Sequence, residues 1–288
     1  MAKAASQLSI SQPAVSKAIK DMEHALGVSL LDRSAQGVEL NNYGKILLKW
    51  TATVFDDLRQ GVREIEFMAD PGVGELRIGA TEPVVAGILP VILKRLSRAF
   101  PRLSFQVVQV NAIAQQRQLL DERGVDLIVG RRLAAGRADN FETKVLCQEP
   151  LFVVAGGNNP WLRRKRITWE ELRNDKWSLP FEDTTIGFYI AEAFRLHGIE
   201  LPSSSIRSNS YHIHGAMVAT GRFLSMVPGS VLRLSAQRSM YRVLPVDLPN
   251  KPSPIAITTV RNRTISPVAE LFIRMAREAT APLRKEFG

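Results

Sequence analysis

The chain has 288 residues, 45% of them hydrophobic and 23% charged, which excludes disordered and fibrous classes and predicts two or three folded units. Its one cysteine, Cys147, excludes an internal disulfide framework, and the absence of any apolar run near about 18 residues predicts no membrane span. The net charge is +10, yet residues 1–72 hold eight Lys/Arg against nine Asp/Glu, so the excess lies in the remainder and reads as solubility and mild attraction for anions.

Residues 3–8, KAASQL, read as the tail of a helix, and Ser9-Ile10 as a short turn. Ser11 is a good N-cap, and Pro13 falls in the first turn, where a missing N–H costs little. Val15, Ile19, Met22 and Leu26 then form one apolar stripe, and Gly27 stops the helix. Gln12, Ser16, Lys17 and Lys20 lie mainly off that stripe. Two short apolar strings flank Ala35-Gln36-Gly37, as in a β-hairpin with a glycine turn. Asn41 can cap a long helix over about 42–69, where Ile46, Trp50, Val54, Leu58, Val62 and Ile65 recur at helical spacing. A stripe of this length on a lone helix calls for a second helix, as in a coiled-coil-like dimer. Pro71-Gly72 breaks the chain.

From Gly74 strands and helices alternate. GELRIGAT, LSFQVVQV, VDLIVGR, FETKVLCQE and PLFVVAGG read as strands; VVAGILPVILKRLSRAF and AIAQQRQLLDER read as helices. WSLPF, SIRSNS, FLSMVP, YRVLPVDL and PIAITTVRN extend the strand set. Helices follow over 186–197, 211–220 and about 267–286. This alternation predicts a mostly parallel sheet with helices on both faces. Such sheets bind ligands beyond the carboxyl ends of their strands. Those ends are Thr81-Glu82-Pro83, Gly130-Arg131-Arg132, Pro180 to Thr184 and Val227-Pro228-Gly229.

The ordered set resembles the LysR-type transcriptional regulators. The residues that carry it are AASQLSISQPAVSKAIKDMEHALGVSLLDR, LNNYG, GELRIGAT, GILP, VDLIVGR, ATGRFLSMVP and the terminal helix. Each motif alone is weak; their order is specific and spans essentially the whole chain. The resemblance implies an α+β multi-domain chain. A partial winged helix-turn-helix (1–42) and a linker helix (43–72) would precede an α/β two-lobed effector domain (73–288) like type 2 periplasmic binding proteins. Lobe I would comprise 73–150 and 247–288, and lobe II 151–246. The family pattern places a complete first helix ahead of the AA pair, whereas this sequence starts at Met1 inside the second. The expectation is therefore a start codon set too late. As written, the stripe of Val15 and Ile19 would be partly exposed and DNA binding weak.

The resemblance further implies which residues act. Ser11, Gln12, Pro13, Ser16, Lys17 and Lys20 would meet DNA from the recognition helix; Gln12 suits adenine edges, and Pro13 a thymine methyl. Arg33 and Gln36, at the wing, would contact phosphate or the minor groove. The effector would touch Thr81, Glu82, Pro83, Arg131, Pro180, Phe181, Asp183 and Thr184. Arg131 argues for a carboxylate; Glu82 and Asp183 argue for hydroxyl-rich ligands such as sugars or sugar acids. GATEPVVAGILP with VDLIVGR is most similar to the branch that controls sugar-uptake genes. The implied partners are promoter DNA, a small polar effector (sugar, sugar acid or organic acid), further copies of the chain as a dimer or tetramer, and RNA polymerase, in the cytoplasm, with no cofactor or metal.

Three rivals stand beside this reading. A ligand sensor without DNA binding would show ligand affinity and no promoter retention. A periplasmic binding protein lacks a secretory signal and would have a superfluous front end. An enzyme finds little support: His212 and His214 form H-x-H, which a helix splits onto different faces. Cys147 reads as a buried apolar residue, and no phosphate-cradling glycine loop is present.

Overall fold

The computed structural model of the chain describes residues 2–34, 37–131, 140–202, 206–248, 251–261 and 263–287. It divides into two compact units, Met1–Val62 and Arg63–Gly288.

The first unit contains α1 (Ala2–Gln7), α2 (Gln12–Leu26), the hairpin β1 (Leu31–Ser34) and β2 (Gly37–Leu40), and most of α3 (Asn42–Ala69). The Ser11 oxygen accepts from Ala14 N at 3.3 Å, Pro13 lies in the first turn, and Gly27 ends α2 at φ 67°, a left-handed turn that glycine adopts without strain. The hairpin pairs antiparallel from Leu31 with Leu40 to Ser34 with Gly37. Asn41 Oδ1 accepts from Gly44 N at 2.9 Å and so caps α3. Gly44 is required for packing: a Cβ there would lie 2.2 Å from the Leu30 carbonyl oxygen. Glu23 holds the turn by accepting from Leu30 N at 2.7 Å. Ala5, Val15 and Leu30 are buried, whereas Met22 and Leu26 are exposed.

The second unit holds two sheets. The first is ordered β4 (Leu103–Gln109), β3 (Gly74–Ala80), β5 (Leu127–Arg131), β12 (Ser253–Val260) and β6 (Phe141–Glu149). The second is ordered β10 (Ser225–Pro228), β7 (Leu151–Ala155) and β11 (Arg242–Val243). The pair β8 (Ser178–Leu179) and β9 (Ile206–Arg207) joins it through a parallel bridge from Trp177 to Leu224. In each sheet one strand opposes the rest. β12 runs antiparallel to β5 and β6, and β7 antiparallel to β10 and β11. Those are the strands that arrive from the other lobe, at Pro150 and between Val243 and Ser253. The expected mostly parallel sheet is thus two mixed sheets.

Helices α4 (Glu82–Ala86), α5 (Ile88–Ala99), α6 (Ile113–Asp121), α11 (Pro267–Ala279) and α12 (Ala281–Phe287) accompany the first sheet; α7 (Trp169–Leu172), α8 (Thr185–Leu196), α9 (Tyr211–Ala219) and α10 (Gly229–Leu234) accompany the second. Leu76, Ile78, Leu127 and Val129 meet Ile88, Ile92, Leu96 and Phe272 in one core. Trp169, Trp177 and Phe194 centre another, with Phe194 edge-on to both indoles at 5.0 and 5.1 Å. Two expected single helices are broken. Gly87 separates α4 from α5: Pro90, in the first turn of α5, has no N–H to continue the ladder from α4, and the Gly87 backbone lies so close to Ser230 that a Cβ would come within 3.1 Å of that carbonyl oxygen. Thr280 separates α11 from α12: Pro282 has no N–H to continue the ladder, and the Thr280 hydroxyl bonds back to Ala276 O at 2.8 Å. YRVLPVDL supplies only β11, since Pro245 cannot donate to a ladder. Among the described residues no helix is long and apolar enough to cross a membrane.

Candidate functional site

In the first unit, Ser11, Gln12, Pro13, Lys17 and Lys20 are exposed along α2, and Ser16 is half-buried. The Ser11 oxygen is engaged as the cap, and Gln12 and Lys17 are exposed polar side chains of the first two turns. Arg33 stands in β1. Gln36 lies outside the described residues.

In the second unit the strand ends converge where the chain crosses between lobes. Thr81 is buried with its methyl against Gly130, where a Cβ would lie 2.8 Å away. Pro83 and Pro180 are also buried. Thr184 caps α8: its hydroxyl donates to Phe181 O at 2.7 Å and accepts from Gly187 N at 3.0 Å. Phe181 and Asp183 are exposed. A backbone bridge from Ala112 to Thr184 ties the two lobes at this edge.

The charged residues at the crossing are committed to partners from sequence-distant elements. Arg131 is buried; its Nη2 stands 3.3 Å from Glu149 Oε2, and its guanidinium lies 5.1 Å from the Tyr189 ring centroid. Glu149 Oε1 accepts from Ser230 N at 3.2 Å, so this lobe I carboxylate also meets the start of α10 in lobe II. Burial pushes the Glu149 carboxyl above its ordinary range although the Arg131 charge pulls it down. Glu82 Oε1 accepts from Tyr211 N at 2.9 Å, at the first residue of α9, a second carboxylate facing a lobe II helix terminus. Burial raises Glu82 too, and the Tyr211 N–H offsets part of that.

Arg131 Nε and the Tyr211 hydroxyl are among the buried polar atoms here that have no hydrogen-bond partner among the described residues. The Tyr211 phenol is pushed well above its usual range by burial, with Arg131 lowering it and Glu149, Tyr241 and Glu82 adding to the rise. A buried donor or acceptor left bare costs about 1–3 kcal/mol, so these atoms favour a polar occupant over an apolar one. The reading of Arg131 as a free receiver of a carboxylate did not include Glu149, which already neutralises it. Tyr189, Tyr211 and Glu149 were not singled out from sequence. Glu149-Pro150 at the end of an apolar strand was the available signal, because a carboxylate there must be paired.

The remaining chemical candidates sit elsewhere. His212 is exposed on α9 beside Gln237, and His214 is buried with Nδ1 2.8 Å from Ser178 Oγ, so the two rings occupy different faces. Cys147 is buried in β6, and burial pushes its thiol up to about 12.

Comparison with known proteins places both units. Residues 1–45 match the model of the bacterial regulatory helix-turn-helix protein, lysR family, and residues 69–281 match the LysR substrate binding domain. The chain is 28% identical over 271 residues to the HTH-type transcriptional regulator YybE of Bacillus subtilis, covering 94% of this chain and 90% of that one. It is 27% identical over 281 residues to the regulator GbpR of Azospirillum brasilense, covering 96% and 81%. Among solved structures, a full-length single-residue variant of OxyR from Pseudomonas aeruginosa superposes with TM-score 0.67 at 22% identity over 97% of this chain and 89% of that one. Full-length CbnR complexed with its target DNA superposes with TM-score 0.65 at 19% identity, covering 96% and 93%.

Proposed function

The chain belongs to the LysR family of bacterial transcriptional regulators, and from that premise we propose that it reads promoter DNA through α2 and answers to a small, hydroxyl-rich effector held between its lobes. The effector class rests on one observation: Arg131 is paired with Glu149, and Glu82 supplies a second carboxylate beside Tyr211. A site with this balance disfavours a dianion. Its unpartnered Tyr211 hydroxyl and Arg131 Nε suit hydroxyl groups. Sugars and sugar acids carry such groups; simple organic acids depend on a free cation. Thr81, Glu82, Pro83, Arg131, Pro180, Phe181, Asp183 and Thr184 frame the proposed cleft. Effector binding would shift the population of lobe arrangements.

Self-association is proposed along α3. Ile46, Trp50, Val54, Leu58, Val62 and Ile65 are all more than half exposed at helical spacing, a stripe that a second copy's helix would cover. RNA polymerase is the further partner proposed for a regulator acting at promoters in the cytoplasm.

Thermal-shift screening of sugars, sugar acids and organic acids tests the effector class. Hydroxylated ligands are expected to raise the midpoint; stabilisation by organic acids alone would reject the class. Fluorescence anisotropy tests the DNA side. Gln12→Ala is expected to narrow the gap between specific and scrambled DNA by about 1–3 kcal/mol. Arg33→Ala is expected to weaken both alike. Equal losses on both DNAs for Gln12→Ala would remove its base-reading role, and no binding to either DNA by the unaltered chain would leave only the sensor reading.

A further inference from the structure

A cavity of about 320 Å³ opens beside Gly229, at the end of β10. Its walls come from both lobes. Phe152 in β7, Tyr241, and the guanidiniums of Arg233 and Arg238 belong to the second; Glu286 and Phe287 belong to α12. That helix is anchored to the first lobe, because Leu283 is in its core and Arg284 Nη1 donates to Leu146 O at 2.9 Å. Three features define what the cavity could hold.

It is large enough for a small ring; ligand pockets begin at roughly 300 Å³. It offers aromatic surface: Phe152 and Phe287 face each other at 6.2 Å with their planes at 52°. The Phe287 ring also presses on Gly229 so closely that a Cβ there would lie 2.7 Å from it, which fixes that wall. Its charge is unbalanced. Arg233 is paired with Glu286 through Nε at 2.9 Å and a second contact from Nη2. Arg238 also lines the cavity, and its guanidinium has no partner among the described residues. Among the described residues, two guanidiniums and one carboxylate line the cavity, a net positive charge beside an aromatic wall.

We propose that this cavity is a binding site for a small arylalkyl carboxylate, its ring against the wall formed by Phe152, Phe287 and Tyr241 and its carboxylate on Arg238. An occupant would touch both lobes, so its affinity would depend on their arrangement and would in turn bias it. None of its lining residues is among those that frame the proposed effector cleft, and it does not rest on the effector class assigned there.

Isothermal titration of the full chain with phenylacetate, 2-phenylacetamide and acetate tests the proposal. Saturable binding of phenylacetate is expected, with the neutral amide and the ring-less acetate each at least about tenfold weaker. Arg238→Gln, at an exposed position, is expected to weaken phenylacetate about tenfold with an unchanged thermal midpoint. Val243→Trp, which places an indole into the cavity from exposed β11, is expected to abolish binding. Equal affinity for the amide would overturn the carboxylate assignment, and unchanged affinity in both variants would overturn the location. No saturable binding at millimolar phenylacetate would overturn the site itself. Should Val243→Trp fail to fold, Arg238→Gln alone decides.

Discussion

Glu149→Ala is expected to lower the stability of the second unit by about 3–5 kcal/mol, read as a fall in the urea midpoint. Arg131 is 3% exposed and cannot regain water when its counter-charge is removed. An unpaired buried guanidinium costs far more than the ion pair contributes, because the pair's attraction mainly offsets desolvation. The variant also strips the acceptor from Ser230 N, loosening a contact between the lobes. Glu149→Gln keeps an oxygen for Ser230 N and loses only the charge, so it is expected to fall between Ala and the unaltered chain. The double variant Arg131→Leu with Glu149→Leu should be less damaging than Glu149→Ala, since it leaves no bare charge. A loss below about 1 kcal/mol for Glu149→Ala would show that Arg131 finds water or another partner, and the argument that its charge is committed would fail.

The same pair marks the boundary of what the sequence made legible. The ends of α2 were readable because Ser11, Pro13 and Gly27 act within a turn of themselves, and α3 because its stripe is a long local pattern. The two broken helices were half readable. Pro282 and Pro90 were visible stops, but the need for glycine at Gly87 comes from its approach to Ser230, a contact that only the folded chain creates. Strand direction was not readable for β7 and β12, since each is antiparallel only by virtue of where the chain re-enters a sheet. At the cleft, Arg131 and Glu82 were identifiable as charges at strand ends. Their partners, however, stand 18 and 129 residues away, so no spacing rule could pair them. Neutralisation, rather than position, is what a sequence hides at such a site.

Acid is expected to unfold the second unit through His214, and the effect should be large. Its ring is 1% exposed, with Nδ1 on Ser178 Oγ at 2.8 Å and the Tyr211 ring edge-on at 5.5 Å. Burial disfavours the imidazolium and lowers the group from 6.5 to about 4. The folded-state value is below the unfolded one, so the stability it contributes is fully present above pH 6.5 and is lost as pH falls from there towards 4. Across that window only the unfolded chain takes the proton, at about 1.4 kcal/mol per pH unit, or about 3 kcal/mol in all. Asp126 does not contribute in this range. Burial raises its carboxyl, but the Arg77 hydrogen bonds and charge outweigh burial and bring it below 3.8, so its loss comes at lower pH. Glu82 acts in the opposite sense: burial has raised it, and its protonation as pH falls relieves the folded state. The net slope of the unaltered chain is therefore shallower than His214 alone would produce, and comparison with a variant isolates it. His214→Asn keeps a polar partner near Ser178 and does not titrate. Urea midpoints measured at intervals from pH 7 to pH 4 should fall by about 3 kcal/mol more in the unaltered chain than in His214→Asn. Parallel curves for the two proteins would mean that the imidazole is protonated in place, with a buried counter-charge or water that its surroundings do not show.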